Sequence, residues 1–336
     1  MTELSKYTTL KVGGKANRVI HASSEKELIA AIDEADVRNE QVLVIGGGSN
    51  ILVSDKGFDG VVIRVETTGN SYEIDACSGG MLQVSAGDNW DQFVQFTLEK
   101  GLANLESLSG IPGTVGGAPI QNIGAYGHDV SEVIARVRAY DRNEKKVATF
   151  AAADCEFEYR SSRFKKAAGR YVILDVTFQL RRGTESLPIA YAELAKELGV
   201  NIGDRVDTKK VREAVLRLRS SKGMLEGEFA SAGSFFTNPI ISPELAAKLP
   251  VAAPRWPQAD GRIKTSAAWL MENAGMHKGE ALGGAAISPK HVLALSNAGT
   301  ATAEDIVKLA RVARAKVHEA FGITLEAEVQ FVGIAL

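Results

Sequence analysis

Two glycine-rich stretches carry the residues best suited to chemistry. The first, Gly46-Gly47-Gly48-Ser49-Asn50, follows directly on the apolar run Gln41 to Ile45. Consecutive glycines let backbone N–H groups turn toward one anion, and Ser49 and Asn50 add side-chain donors, so a diphosphate cradle is one reading. A tight turn between strands is the other. The dinucleotide fingerprint of a Rossmann turn is absent, because Ile51 stands where its third glycine belongs and Ile51-Leu52-Val53 reads as strand. The second stretch, Ser109 to Gly127, holds six glycines, two prolines and no charged residue. A solvated loop carries charges, and a core strand carries less glycine. A neutral trough lined by backbone suits a large flat cofactor such as an isoalloxazine ring, whose polar edge amides and carbonyls meet. The two loops together are better explained by one dinucleotide than by two unrelated turns.

Strands and helices must hold these loops. Ser24-x-x-Glu27 reads as a capping box for a helix with Leu28, Ile29 and Ile32 on its apolar face. Strands are expected at Gln41 to Ile45, Gly60 to Val65, Met81 to Ala86, Val133 to Tyr140, Lys146 to Phe150 and Tyr171 to Leu180. Asp88 or Asn89 caps a helix carrying Trp90, Phe93, Val94 and Leu98, which Gly101 ends. Further on, Asp207 caps a helix with Val211, Ala214, Val215 and Leu218 on one face. Pro239 to Pro257 reads as loop with a short helix, and a helix near Ser266 to Asn273 ends at Gly275. Thr302-x-x-Asp305 opens a helix stopped by Gly322, and a last strand is expected from Ile323 to about Val332. The class is α+β, with mixed sheets in more than one domain.

The bulk numbers narrow the function. The chain has 336 residues, 45% hydrophobic and 24% charged, with a formal net charge of −2. No basic tract marks a nucleic-acid surface. The two cysteines, Cys77 and Cys155, stand far apart without a Cys/His cluster, so no metal site is expected and a reducing compartment is. Nothing in Met1 to Lys6 reads as a signal peptide, and no apolar run approaches the ~20 residues of a membrane span. The cytoplasm is the expected location.

Several short motifs, in order along nearly the whole chain, resemble the UDP-N-acetylenolpyruvoylglucosamine reductase (MurB) family. They are the two glycine stretches, with Ile111-Pro112-Gly113-Thr114-Val115-Gly116-Gly117 and Gln121-Asn122-Ile123-Gly124-Ala125-Tyr126-Gly127 inside the second. Downstream come Tyr159-Arg160-Ser161-Ser162-Arg163-Phe164, Gly233-Ser234-Phe235-Phe236-Thr237-Asn238-Pro239, Trp269 to Gly275, and Leu325-Glu326-Ala327-Glu328-Val329. The resemblance implies an FAD-binding domain of the vanillyl-alcohol-oxidase (PCMH) type over residues 1–183, made of α+β subdomains of about 1–68 and 69–183. It implies a C-terminal α+β substrate-binding domain over 205–327 and a final strand, 328–336, that returns to the FAD domain. NADPH would reduce non-covalent FAD, and the flavin would reduce the enolpyruvyl ether of UDP-N-acetylglucosamine to UDP-N-acetylmuramate, a peptidoglycan precursor. A monomer is expected, with no nucleic-acid or membrane partner.

Such a reduction delivers hydride to the terminal alkene carbon, leaves enolate character beside the carboxylate, and then needs a proton. The resemblance assigns the proton to Ser234 and enolate stabilisation to Arg160 and Glu328. An arginine fork grips a carboxylate on two oxygens. Glu328 would have to be protonated or cation-paired, since a free carboxylate repels the developing charge. Strand alternation puts Ile323, Leu325, Ala327, Val329 and Phe331 on one face and Glu326, Glu328 and Gln330 on the other. For cofactor contacts the resemblance names Gly46, Gly47, Gly48, Ser49, Asn50, Ile111, Pro112, Gly113, Thr114, Gly116, Gly117, Gln121, Asn122, Ile123, Gly124, Ala125 and Arg219. For substrate it names Tyr191 as a closing tyrosine, Lys222 and Asn238 at the UDP group, and His291 near a position the family often fills with glutamine. Thr8 and Ala327 also depart from the family pattern. Read without the resemblance, Ser234 is a serine in a Gly-Ser turn, Arg160 a surface charge, Tyr191 a surface tyrosine and Lys222 a solvated helix end.

Two other classes compete. An oxidase of the same fold, acting on a sugar or hydroxy acid, would be supported by a histidine attached to the flavin. His128 alone lies beside a glycine loop, outside any attachment motif. A non-catalytic nucleotide-binding protein would be expected to lose Ser234, Arg160 or Glu328, and all three are present.

Overall fold

The longest antiparallel ladder follows from near-continuous apolar runs flanked by turn residues. In the computed structural model, which describes residues 1–75 and 79–336, the strand Tyr171–Arg182 is buried over most of its length. It lies between Ile134–Asp141 and Gly79–Ser85, with Lys146–Ala151 and Asn70–Asp75 at the outer edges. Asn70–Asp75 is a strand that patterning did not mark, because it is mostly exposed and polar. Cys77 lies outside the described residues.

By contacts the chain divides into two units. One comprises Ala16–Gly47 and Asp59–Glu226; the other comprises Met1–Lys15, Gly48–Phe58 and Gly227–Leu336. The division by contacts and the division by function drawn from the motifs thus follow different boundaries.

In the 16–226 unit, Gln41–Ile45 pairs in parallel with Phe58–Val65, which adjoins Lys15–Ala22. Helix Glu25–Val37 covers this sheet with Leu28, Ala31, Ile32 and Ala35. Its Ser24 cap accepts the Glu27 N–H at 3.2 Å. Helix Trp90–Glu99 is capped by Asn89, while Asp88 accepts the Gly69 N–H instead. Trp90 is 1% exposed, and its indole N–H donates to the Leu108 carbonyl at 2.9 Å. Helix Thr208–Ser221 buries Val211, Ala214, Val215 and Leu218 as its periodicity predicts. Those residues join Ile189, Leu194 and Ala195 in a satellite core.

The second unit packs around Phe235 and Phe236, each 1% exposed. Burying a side chain of that size stabilises by roughly 1.5–3 kcal/mol. Helix Ala303–Phe321 supplies Ile306, Leu309, Ala313 and Val317 to this core. It opens on the Thr302/Asp305 capping box and ends at Gly322, whose φ is +68°. The expected strand from Ile323 is shorter than its pattern. Ile323, Leu325 and Val329 are buried and Glu326 is exposed, as alternation requires. Only Gln330–Val332 forms a ladder, because residues 326–328 bond irregularly to 235–237. That ladder is parallel to Ile51–Val53, just past the first glycine loop.

Among the described residues, no helix is long and apolar enough to cross a membrane, and no group of His, Cys, Asp or Glu is arranged to hold a metal.

Candidate functional site

In the 16–226 unit the two glycine loops meet. A Cβ on Gly46 would lie 2.3 Å from Thr114 Oγ1, and one on Gly47 would lie 3.1 Å from Gly113 Cα. Gly116 is pressed against Ala86, where a Cβ would come within 2.6 Å. These glycines are therefore demanded by protein neighbours. Gly117 differs: it is exposed, and a Cβ there would meet nothing within 4 Å. Bare backbone open to a ligand is concentrated at this position, between the 3-10 turn Val115–Gly117 and the single helical turn Ala118–Gln121. The neutral backbone surface there fits a flavin nucleotide, which needs close approach and amide donors.

The rest of the trough is held from behind. Ile111 and Ile123 pack on the core, and Gln121 and Asn122 are buried. Asn122 adopts φ 43° and spends its side chain on the protein, donating to the Glu158 carbonyl at 3.0 Å and accepting the Ser131 N–H at 3.1 Å. Gly124 and Ala125 pair with Asp129 and His128 in a tight hairpin. The Gly110 peptide is gripped on both sides. Asp91 accepts its N–H at 2.5 Å, and Arg219 Nε donates to its carbonyl at 2.9 Å. Asp91 also receives both Arg212 amino groups, at 2.6 and 2.7 Å. Burial lowers the pKa of Arg219 from its ordinary value, partly offset by Tyr126 and Asp91.

Arg160 is anchored to the same trough. Its guanidinium donates to the carbonyls of Asn122 at 3.3 Å and Gly124 at 2.5 Å, pairs with Asp129 at 3.3 Å, and lies 5.2 Å from the Tyr159 ring centre. Its backbone is left-handed, φ 53°, a conformation unusual for a non-glycine residue and concentrated at functional sites. The surface-charge reading of Arg160 does not describe this residue.

Tyr191 immediately precedes the helix Ala192–Leu198, and its ring meets Tyr126 edge-on at 5.7 Å. Burial pushes the Tyr126 hydroxyl up to about 12. Lys222 at the end of helix Thr208–Ser221 is ion-paired with Glu193, so its ammonium is a held group and not a freely solvated one. Tyr126, Asp129, Glu193 and Asp91 were not singled out from sequence. The Ala-Tyr-Gly ending of the trough was the available signal for Tyr126, and the others required the fold.

In the second unit, Ser234 and Glu328 lie on bonded neighbouring segments. Glu328 N–H donates to the Phe235 carbonyl at 2.9 Å, and Phe235 N–H donates to Leu293 at 2.8 Å. Gly233, φ +71°, turns the chain just before Ser234. The Asn50 side-chain amide donates to the Glu328 carbonyl at 3.2 Å. Gly48 carries φ +62°, and a Cβ there would strike the Tyr7 carbonyl at 1.8 Å. Ser49 follows it in the same turn. Asn238 Oδ1 accepts the Ala267 N–H at 3.0 Å, which fixes which end of the amide is oxygen and which is NH2. His291 Nδ1 accepts the Leu293 N–H at 3.2 Å, so Nε2 carries the proton of the neutral ring.

Comparison with known proteins adds to this geometry. Residues 16–149 match a family model described as an FAD binding domain. Residues 226–332 match the UDP-N-acetylenolpyruvoylglucosamine reductase C-terminal domain. The chain is 50% identical over 340 residues to a UDP-N-acetylenolpyruvoylglucosamine reductase of Cutibacterium acnes, covering 99% of this chain and 90% of the relative. It is 48% identical over 348 residues to that of Streptomyces coelicolor, again covering 99% and 90%. The crystal structure of the Thermus caldophilus enzyme superimposes with a TM-score of 0.69 at 26% identity, covering 98% of this chain and 97% of that one.

Proposed function

The chain belongs to the UDP-N-acetylenolpyruvoylglucosamine reductase (MurB) family, and from that premise we propose that it reduces UDP-N-acetylenolpyruvoylglucosamine to UDP-N-acetylmuramate, with FAD as cofactor and NADPH as reductant. It acts as a cytoplasmic monomer. Residues 1–183 serve the cofactor and 205–327 the substrate, with the terminal strand returning beside the first glycine loop. When bound, FAD would supply the hydride that the alkene accepts. The protein holds it with Gly46 to Asn50, Ile111 to Gly117, Gln121 to Ala125 and Arg219.

The remaining chemistry belongs to side chains. Lys222 and Asn238 hold the UDP group, Tyr191 closes over it, and His291 donates through Nε2. Arg160 grips the substrate carboxylate, and its attraction grows as negative charge moves onto that group. Its carbonyl and Asp129 bonds hold the fork still, so little reorganisation accompanies the charge. Ser234 Oγ gives its proton to the enolate carbon and recovers one from solvent. Glu328, protonated or cation-paired, steadies the enolate.

The observation that carries this reading is the bond joining the two segments, Glu328 N–H to the Phe235 carbonyl at 2.9 Å. It keeps the backbone next to Ser234 bonded to that of Glu328, which supports giving the two residues roles in one reaction. The test is anaerobic stopped flow on the FAD-loaded enzyme. NADPH should bleach the flavin, and the enolpyruvyl substrate should restore its absorbance. Ser234→Ala should leave bleaching near normal and slow recovery by roughly 10²–10⁴-fold, the usual worth of general acid catalysis. Recovery at the wild-type rate would remove Ser234 from the role, and no recovery in the wild type would remove the activity.

A further inference from the structure

Glu106 and His128 have no part in the chemistry above, yet both reach the segment that carries Tyr191. The Leu187 N–H donates to Glu106 Oε1 at 3.0 Å. Glu106 is 1% exposed, and its other oxygen accepts the Asn104 N–H at 2.7 Å. One residue on, the Pro188 carbonyl lies 3.2 Å from His128 Nε2, while His128 Nδ1 lies 3.0 Å from Glu132 Oε2. A carbonyl and a carboxylate are both acceptors. Both ring nitrogens must therefore donate, and only the imidazolium satisfies both partners. The flanking residues complete the contact. A Cβ on Gly127 would lie 2.7 Å from Ala190 Cβ, and the Tyr126 ring meets Tyr191.

We propose that Glu106 and His128 are positioning residues, a pair of jaws that grip Leu187 by its N–H and Pro188 by its carbonyl and so set the pose of Tyr191. Protonated His128 is the pH-sensitive jaw. The benefit to substrate binding rests on the reading of Tyr191 as a substrate contact; the grip itself does not.

The charged groups facing His128 are Glu132 on the turn Val130–Glu132 and Glu106 on the turn Glu106–Leu108. Asp129, its chain neighbour, is paired with Arg160. Burial works against the proton, but the Glu132 bond, both carboxylates and the Pro188 carbonyl outweigh it, and the pKa is raised from 6.5. A raised value means the grip is complete at pH below the ordinary histidine range. It is lost as pH rises through the raised value.

The test follows backbone amide exchange of residues 187–192 in the FAD-loaded enzyme, and KM for the enolpyruvyl substrate, from about pH 5 to 8, the range in which histidine ordinarily titrates, and above it. In the wild type, the protection factor of Leu187 should fall and KM should rise on the alkaline side, with kcat steady. His128→Gln keeps one donor and no titrating proton. It should lower protection about tenfold, as expected when a charged hydrogen bond is replaced by a neutral one, and flatten both pH profiles. Glu106→Gln leaves one acceptor oxygen for two N–H groups and should lower protection at Leu187 or at Asn104, while the flavin spectrum stays unchanged. Because Glu106 is buried and its replacement can disturb folding, the His128 variant carries the decision. Wild-type protection and an unflattened profile in His128→Gln would overturn the proposal. If protection falls as expected but KM does not move, and Tyr191→Ala also leaves KM unchanged, the grip stands and the substrate role of Tyr191 falls.

Discussion

At the scale of single residues, the glycines separate into two kinds. Gly46 and Gly116 exist because protein atoms crowd them; Gly117 faces open space. Gly46→Ala should therefore cost roughly 1–3 kcal/mol, the usual penalty for overpacking, as its Cβ drives into the Thr114 side chain. Gly117→Ala should leave denaturant stability of the flavin-free protein unchanged and weaken flavin binding. Titrating each variant with FAD, and unfolding each with urea, separates the two effects. Equal flavin affinity in Gly117→Ala and wild type would remove that residue from the cofactor surface. Arg160 shows the opposite relation between residue and surroundings. Its left-handed backbone is strained for a side-chain-bearing residue, and three bonds to the trough and Asp129 hold it there.

At the scale of elements, long-range caps tie distant segments together. Asp55, on the loop after the strand Ile51–Val53, accepts the first two N–H groups of the helix Ala303–Phe321, from Ala303 at 2.8 Å and Glu304 at 3.1 Å. The local capping box at Thr302 and Asp305 satisfies two others. A carboxylate at a helix N-terminus answers both its unpaired donors and its dipole. Asp55→Ala should cost about 0.5–2 kcal/mol, read as a lower urea midpoint with an unchanged slope. An unchanged midpoint would mean that the box at Thr302 suffices. The parallel pairing of Gln330–Val332 with Ile51–Val53 belongs to the same system, since it holds the strand following Glu328 beside the loop that bears Asn50.

At the scale of the whole molecule, neither unit is continuous in sequence. The first glycine loop changes units between Gly47 and Gly48, so each unit depends on chain contributed from both sides of that loop. FAD that binds the folded state and not the unfolded one stabilises it by about 2.7 kcal/mol at a hundredfold excess over Kd. Purified protein should be yellow, release its flavin on denaturation, and melt at a higher temperature with FAD restored than without. A melting temperature indifferent to FAD would count against the cofactor assignment.

Periodicity and caps determined much of the fold by themselves. Helix Thr208–Ser221 and helix Ala303–Phe321 bury the faces their apolar spacing predicts, because 3.6-residue repetition is a local property. The absence of charge between Ser109 and Gly127 likewise marked a special surface. The sequence also carried the motifs that revealed the family. Tertiary structure alone decided which atoms those motifs face. No pattern in the chain tells that Gly46 needs its missing side chain for Thr114, that Asn50 reaches the Glu328 carbonyl, or that Lys222 is paired with Glu193. His128 illustrates the difference: in the sequence it is a residue beside a glycine loop, outside any attachment motif and with no role of its own, whereas in the fold its nitrogens reach Glu132 and Pro188. Hydrogen-bond partners separated by tens of residues are set when strands pair and loops close, and local sequence has no means of encoding them singly.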